Sequence, residues 1–176
     1  MSATHEILFD EQTIADKVKE LASQISKDYA DKELILVCIL KGAFTFTADL
    51  MRRLTIPSRV EFIQAASYGA STRSPGDISI KQDIGVDING RHVLLVDTVV
   101  DTGKTLANVL QQFGTRGPAS LCTVALLDKK FRRTVDVTIT YRGFEIPDAF
   151  VVGYGMDLAE QYRNLPYIAA IKPSAR

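Results

Sequence analysis

Apolar residues fall into two patterns that alternate along the chain. Short apolar runs of strand length occur at positions 34–40, 59–66, 93–96 and 120–127. Between these runs, apolar residues recur every three or four positions, as they do on one face of a helix. The helical positions form three groups: Ile14, Val18, Leu21, Ala22, Ile25 and Tyr29; Phe46, Leu50, Met51 and Leu54; and Leu106, Val109, Leu110 and Phe113. The alternation predicts an α/β protein.

The first strand-length run, Leu34–Leu40, is apolar at every position. Such a run is typical of a parallel strand that is covered by helices on both faces. We therefore expect a central, mostly parallel sheet flanked by helices. Asp10 is a candidate N-cap for the first helix, and the alternation at residues 135–141 predicts a further strand. A chain of 176 residues is long enough for one domain with a sizeable core.

Composition narrows the expected partners to small molecules. The chain has 21 basic residues (Lys and Arg) and 21 acidic residues (Asp and Glu), so no overall charge attracts nucleic acid or an anionic membrane surface. Cys38 and Cys122 lie inside apolar runs without metal-ligand spacing, which predicts reduced core residues. The sequence contains no apolar stretch of membrane-helix length and no signal-peptide pattern, so we expect a cytoplasmic protein.

The stretch HVLLVDTVVDTGKTLANVL, residues 92–110, carries the clearest candidate chemistry. An apolar strand leads to Asp97 and Asp101, and residues 102–105 (Thr-Gly-Lys-Thr) then precede a helix. The free N–H groups of such a turn and helix start can bind a phosphate, and the helix dipole favours its charge. The two carboxylates are suited to hold hydroxyl groups, a metal or a proton. We interpret the stretch as a site for a phosphorylated sugar rather than an ordinary capped turn.

Three further segments are candidates with weaker signals. Lys41-Gly42 lies between a predicted buried strand and a helix, where an anion can bind. Lys129 follows the strand at 120–127 and therefore lies at the carboxyl edge of the sheet, where open α/β folds bind ligands. Residues 67–90 are polar and rich in Gly, Ser and Asp, which suggests a mobile lid, or a lid with a short hairpin in it. A surface lysine, a basic turn and a solvated loop are the alternatives.

VLLVDTVVDTGKTL resembles the phosphoribosyl diphosphate signature of type I phosphoribosyltransferases. Residues 143–168, GFEIPDAFVVGYGMDLAEQYRNLPYI, closely resemble the C-terminal signature of hypoxanthine-guanine phosphoribosyltransferases. The Leu-Lys-Gly turn, Ser67-Tyr68 and Leu-Leu-Asp-Lys resemble further family segments, and the resemblance extends from about Ile7 to Ile171. It implies one phosphoribosyltransferase domain over residues 1–176. The core would span roughly 11–141, a small hood subdomain 1–10 plus 142–176, and a flexible lid 67–90.

The resemblance implies a purine-salvage enzyme. Such an enzyme transfers 5-phosphoribosyl from phosphoribosyl diphosphate to hypoxanthine or guanine, giving IMP or GMP plus diphosphate. The resemblance also implies Mg²⁺ as cofactor and a homodimer or homotetramer as the assembly. Carried over by position, Asp101 would be the general base, and the phosphoribosyl group would contact Asp97, Thr98, Asp101, Thr102, Gly103, Lys104 and Thr105. Diphosphate would contact Leu40, Lys41, Gly42, Ser67, Tyr68 and Arg163, with a cis peptide at Leu40-Lys41. The purine would contact Lys129, Phe150, Val151 and Asp157, and the metal would contact Asp97 and Asp157.

Thr98 departs from the family pattern, which has a second acid at this position. A hydroxyl lacks the charge that strengthens a hydrogen bond to a sugar, so the departure predicts weaker sugar binding. Two alternatives remain open: a xanthine-preferring transferase, and a non-catalytic regulator that senses phosphoribosyl diphosphate, with RNA as a further partner. Lys129 as a donor disfavours adenine, whose exocyclic group is also a donor. A P-loop is rejected because Thr98 replaces its first glycine.

Overall fold

The computed structural model describes residues 5–67 and 78–171. Its three α-helices are α1 (Glu11–Asp28), α2 (Phe44–Met51) and α3 (Lys104–Gly114), and a short 3-10 helix spans Lys130–Arg132. The strands in chain order are β1 (His5–Phe9), β2 (Leu34–Leu40), β3 (Ser58–Ser67), β4 (Ile78–Gln82), β5 (His92–Val100), β6 (Ser120–Asp128), β7 (Tyr141–Glu145), β8 (Val151–Val152) and β9 (Ile168–Ile171).

Six strands form the main sheet in the order β4-β3-β2-β5-β6-β7. The five strands from β3 to β7 in this order are parallel, and only the edge strand β4 runs antiparallel. Helices cover both faces, as the apolar runs predict, because strands buried on two sides need apolar side chains throughout. The predicted α/β class with a mostly parallel sheet is confirmed.

The core has two layers, one on each face of this sheet. Successive side chains of a strand point to opposite faces. In β2, Leu34 and Leu36 accordingly pack in the cluster under α1 and α2, whereas Ile35 and Val37 pack in the cluster under α3. The helix α1 begins where its cap predicts, since Asp10 accepts a hydrogen bond of 2.8 Å from the Thr13 N–H.

The two ends of the chain meet in a second, three-stranded sheet of order β1-β9-β8. It is antiparallel, and Val151 of β8 lines a cavity together with Leu40 and Lys129, at the carboxyl ends of β2 and β6. Residues 142–145, which the expected hood includes, belong to β7 and pair with β6 in the main sheet. The division into core and hood stays a prediction.

Residues 135–140 do not form the strand that their alternation predicts. Their polar groups bond to a side chain of β6 instead of a backbone ladder. The Thr123 hydroxyl donates to the Thr138 carbonyl at 2.8 Å, and the Thr140 N–H donates to the Thr123 oxygen at 3.0 Å. Val137 and Ile139 still pack against the α3 side of the core, which explains the apolar alternation.

The described part of the expected lid is attached to the core. Ile78–Gln82 pairs with β3 as a hairpin strand, and Ile84, Val86 and Ile88 pack against the cluster under α3. Residues 78–82 thus form a short hairpin, which the lid prediction allowed, and the apolar residues at 84, 86 and 88 attach the following chain to the core. The lid itself stays a prediction. Residues 68–77 lie outside the described residues.

Both cysteines are free, as predicted; Cys38 is buried and Cys122 is partly buried. Within the described ranges, none of the helices combines the length and apolarity that a membrane span requires.

Candidate active site

The order of the strands determines where a ligand site can lie. From β2 the chain crosses to β3 on one side, and it later returns to β5 on the other side of β2. Open α/β sheets bind ligands at such a switch point, outside the carboxyl ends of the strands. Two adjoining cavities of about 240 and 440 Å³ lie there and share Leu40, Gly42, Ala65, Val99 and Asp101 in their walls.

The smaller cavity lies at the turn between β5 and α3. Asp97, Asp101, Thr102, Gly103 and Thr105 line it. Gly103 has φ +84°, and a Cβ there would lie 2.8 Å from the Arg133 Cδ, so this position requires glycine. The helix α3 begins at Lys104, directly after this glycine, so its unpaired N–H groups and positive dipole end lie at this cavity.

Asp97 is a carboxylate without a cationic partner among the described residues. Burial raises the pKa of Asp97 to about 6, although backbone N–H groups of Thr98 and Val99 act in the opposite direction. The Thr98 N–H lies 2.8 Å from Oδ1. A partly buried carboxylate in this state favours a bound cation, because the cation supplies the charge that the protein does not.

Asp101 lies in the wall shared by the two cavities and is held by two cations. Lys129 Nζ is 3.4 Å from Oδ2, and Arg132 Nε is 3.0 Å from Oδ1. Burial raises the pKa of Asp101, but the hydrogen bonds and charges of Arg132 and Lys129 outweigh it and hold this pKa below its usual value. The group is therefore an ionised carboxylate at neutral pH.

The turn after β2 forms the opposite wall. The Leu40-Lys41 peptide is cis, as the family resemblance implies. The carbonyl of Gly42 accepts a hydrogen bond of 3.0 Å from the Thr98 hydroxyl. On its other side, Gly155 packs so closely that a Cβ there would lie 2.4 Å from the same carbonyl oxygen. The turn is thus fixed from both sides.

Thr98 is not among the residues that line the two cavities, so the structure does not place its side chain where the predicted sugar contact would need it. Its side chain is only 1% exposed and points to the turn after β2. Alternation along β5 gives the reason: Asp97 and Thr98 are adjacent in a strand, so their side chains point to opposite faces. The sequence already contained this signal. The weaker sugar binding that Thr98 implies stays a prediction.

The larger cavity lies between the main sheet and the C-terminal segment. Its walls include Lys41, Lys129, Phe150, Val151, Asp157 and Arg163. Phe150 is 53% exposed, which leaves an aromatic face available, whereas Lys129 is 7% exposed and its Nζ lies 3.4 Å from Asp101 Oδ2. All the residues predicted to contact the purine therefore lie together here.

Two cations in this cavity are already paired with acids. Arg163 lies 2.8 Å from Asp157 and 3.2 Å from Glu160, and it donates to the Gly155 carbonyl at 2.8 Å. Lys41 Nζ lies 3.0 Å from the other oxygen of Glu160. The hydrogen bonds from Lys41 and Arg163 lower the pKa of Glu160. Glu160 thus joins the two positive groups predicted to bind diphosphate.

Some predicted residues lie apart from this arrangement. Lys104 is exposed and does not line either cavity. Tyr68 and the side chain of Ser67 lie outside the described residues. Arg132, which contacts Asp101, was missed because it lies in a basic stretch, residues 129–133, that also fits a solvated turn.

The described residues contain no group of three or more His, Cys, Asp or Glu side chains placed to hold a metal by themselves. Asp97 and Asp157 lie in different cavities, and Asp157 is paired with Arg163. Magnesium is commonly bound by one or two carboxylates together with substrate phosphates and water. The residues present fit that mode of binding, with Asp97 as the unpaired carboxylate.

The fold and the site define an α/β protein that binds its ligand at the carboxyl edge of a parallel sheet, between an anion-binding helix start and a small C-terminal sheet. A family model, the phosphoribosyl transferase domain, matches residues 4–159. The chain belongs to this family.

Two curated relatives and one crystal structure show the likeness over almost the whole chain. Hypoxanthine phosphoribosyltransferase of Salmonella typhimurium is 43% identical, over 97% of each chain. Hypoxanthine-guanine phosphoribosyltransferase of Dictyostelium discoideum is 44% identical, over 96% of each. A crystal structure of a hypoxanthine-guanine phosphoribosyltransferase from Bacillus anthracis has a TM-score of 0.92 at 43% identity, covering 97% of this chain and all of that one.

Proposed function

We propose that this protein is a purine-salvage enzyme that transfers 5-phosphoribosyl from phosphoribosyl diphosphate to hypoxanthine or guanine. The products are IMP or GMP and diphosphate. The observation that carries the proposal is the position of Asp101 in the wall between a phosphate-type turn and a cavity lined by Lys129 and Phe150. A sugar phosphate in one cavity and a base in the other would meet at this carboxylate.

The smaller cavity is proposed for the phosphoribosyl group. Backbone N–H groups from Gly103 to Thr105 bind the 5-phosphate, and the hydroxyls of Thr102 and Thr105 assist. Asp97 faces the same cavity and accepts bonds from ribose hydroxyls or holds the metal. Bound Mg²⁺ supplies positive charge to the diphosphate and so makes it a better leaving group.

The larger cavity is proposed for the purine and diphosphate. Lys129 donates to the 6-oxo group, Phe150 stacks on the ring, and the Val151 backbone contacts the 6-oxo edge. Lys41, the Gly42 turn and Arg163 bind diphosphate and stabilise the charge that develops as the C–O bond breaks. This binding requires the two cations to leave Glu160.

Asp101 accepts the proton of the attacking purine nitrogen. In the free protein Lys129 and Arg132 hold its pKa low, which makes it a weak base. When Lys129 moves to the 6-oxo group, one of these cations leaves the carboxylate, and its pKa rises. Purine binding thereby strengthens the base that the reaction needs.

An assay of product formation tests the proposal. The protein is mixed with Mg²⁺, phosphoribosyl diphosphate and one of hypoxanthine, guanine, xanthine or adenine, and the nucleotide formed is identified. IMP and GMP are expected. Formation of the xanthine nucleotide alone would replace the proposal with a xanthine-preferring enzyme, and binding of phosphoribosyl diphosphate without any product would indicate a regulator.

Asp101→Asn tests the role of the base. Turnover should fall by about a hundredfold or more, the usual contribution of general base catalysis, while substrate dissociation constants change little. Asp136→Asn is the matched control, since Asp136 is exposed and lines neither cavity. Equal turnover in the two variants would show that Asp101 is not the general base.

A further inference from the structure

The two oxygens of the Asp101 carboxylate have different partners. Arg132 Nε lies 3.0 Å from Oδ1, and Lys129 Nζ lies 3.4 Å from Oδ2. A charge-assisted N–H···O bond is normally about 2.7–2.9 Å long. The Arg132 contact is close to that range and the Lys129 contact is clearly longer, so Oδ2 is the oxygen that is more easily released.

Arg132 also connects two parts of the site. Its NH1 donates to Asp148 Oδ2 at 3.1 Å, in the segment that leads to Phe150. One guanidinium therefore joins the end of β5 to the start of the C-terminal segment. Its planar, fixed geometry allows it to set the orientation of both acids, which a flexible lysine does less well.

Neighbouring residues in the short 3-10 helix do not share these contacts. The Lys130 side chain is exposed and has no hydrogen bond or ion pair with the described residues, and Phe131 is 84% exposed. The contacts of Arg132 with two acids from different elements are thus specific to this position and are not a general feature of the basic turn.

We propose that Arg132 is a positioning residue for the reaction: it holds Oδ1 of Asp101 so that Oδ2 faces the purine. This inference rests on the proposed function. As Lys129 moves to the 6-oxo group, Oδ2 accepts the proton, so an N–H bond breaks and an O–H bond forms. The purine nitrogen bonds to C1 of the sugar, and the electrons of the C1–O bond leave with diphosphate.

The charges around Asp101 set the expected pH dependence. Lys129 and Arg132 contact it directly, and Asp148 lies behind Arg132. Lys41, Asp157 and Arg163 line the same cavity, and Asp97 lines the adjoining one. Loss of a contacting cation favours the protonated carboxylate, so the acid limb of kcat/KM should move to higher pH.

The test compares Arg132→Gln with Lys130→Gln in the full chain, by steady-state kinetics with hypoxanthine and phosphoribosyl diphosphate across pH. Arg132→Gln should lower kcat by about tenfold. This is the lower end of the effect expected when a hydrogen bond to a charged group is removed, and the lower end applies because Arg132 is partly exposed. It should move the acid limb to higher pH and leave KM for phosphoribosyl diphosphate within about twofold. Lys130→Gln removes the same charge two residues away and should change neither kcat nor the pH of the acid limb.

Arg132→Lys distinguishes charge from geometry. It should return the acid limb to its original pH while kcat recovers only in part. Full recovery of kcat, an unchanged acid limb in Arg132→Gln, or equal effects in Lys130→Gln would each overturn the positioning role. An inactive wild-type protein would instead refute the proposed function, so the two failures are distinguishable.

Discussion

Replacement of Thr98 by valine should weaken the turn that is proposed to bind diphosphate. The change keeps the size and β-branching of the side chain and removes only the hydroxyl. That hydroxyl donates at 3.0 Å to the Gly42 carbonyl, and Thr98 is 1% exposed. Because Gly155 packs against the same carbonyl, the oxygen would be left without a donor.

The magnitude follows from the loss of the donor in a partly buried hydrogen bond. An unsatisfied buried acceptor costs about 1–3 kcal/mol, and the lower part of that range applies because Gly42 also lines the two cavities. For a protein of this size, each kcal/mol lowers Tm by about 2–4 °C. The turn should also adopt its binding conformation less often, so inhibition by the product diphosphate should weaken together with stability.

The assays are denaturant unfolding and the inhibition constant for diphosphate, with Thr98→Ser as the matched control. Serine keeps the donor but removes a methyl group, which costs about 1 kcal/mol in a packed interior. It should therefore lose some stability while it keeps the affinity for diphosphate. If Thr98→Val bound diphosphate as tightly as the wild type and lost less than about 0.5 kcal/mol, the clamping role of Thr98 would be refuted.

Three further changes probe the site. In metal-free buffer, folded Asp97 keeps its proton up to about pH 6 whereas the unfolded group loses it near 3.8, so stability should fall by about 2–3 kcal/mol as pH rises through this window. Asp97→Asn should remove that slope in pH-dependent unfolding. Glu160→Gln should release Lys41 and remove one of the two acids that hold Arg163, and so lower KM for phosphoribosyl diphosphate roughly two- to threefold. An unchanged KM would contradict the idea that Glu160 competes with diphosphate for these cations. Gly155→Ala should displace the Gly42 carbonyl and reduce kcat/KM roughly tenfold to a hundredfold, with circular dichroism unchanged.

The apolar pattern was sufficient for most of the architecture. The buried strands and the three helices lie where apolar runs and helical spacing predict them, because burial on two faces or on one leaves different periodicities in a sequence. The N-cap at Asp10 was equally local, since a cap involves only the next few residues. The apolar alternation of residues 135–140 predicted a strand that does not form, because a side chain of β6 supplies the hydrogen bonds that a neighbouring strand would have made.

The family signatures in the sequence indicated which chain segments form the site, but not the direction of every side chain. Thr98 was assigned to the sugar because of its place in a motif, although the alternation of β5 places it opposite Asp97. The limits of the lid and the hood also depended on strand pairing, which no single segment reveals.

Contacts between distant segments were decided only by the tertiary structure. Arg132 lies 31 positions from Asp101 and 16 from Asp148, and nothing in the local sequence predicts that one guanidinium binds both acids. The sequence by itself determined the strands, the helices and the order of the ligand-binding segments. The tertiary structure decided how the charged side chains pair, because pairing depends on distances that exist only after the strands have assembled into one sheet.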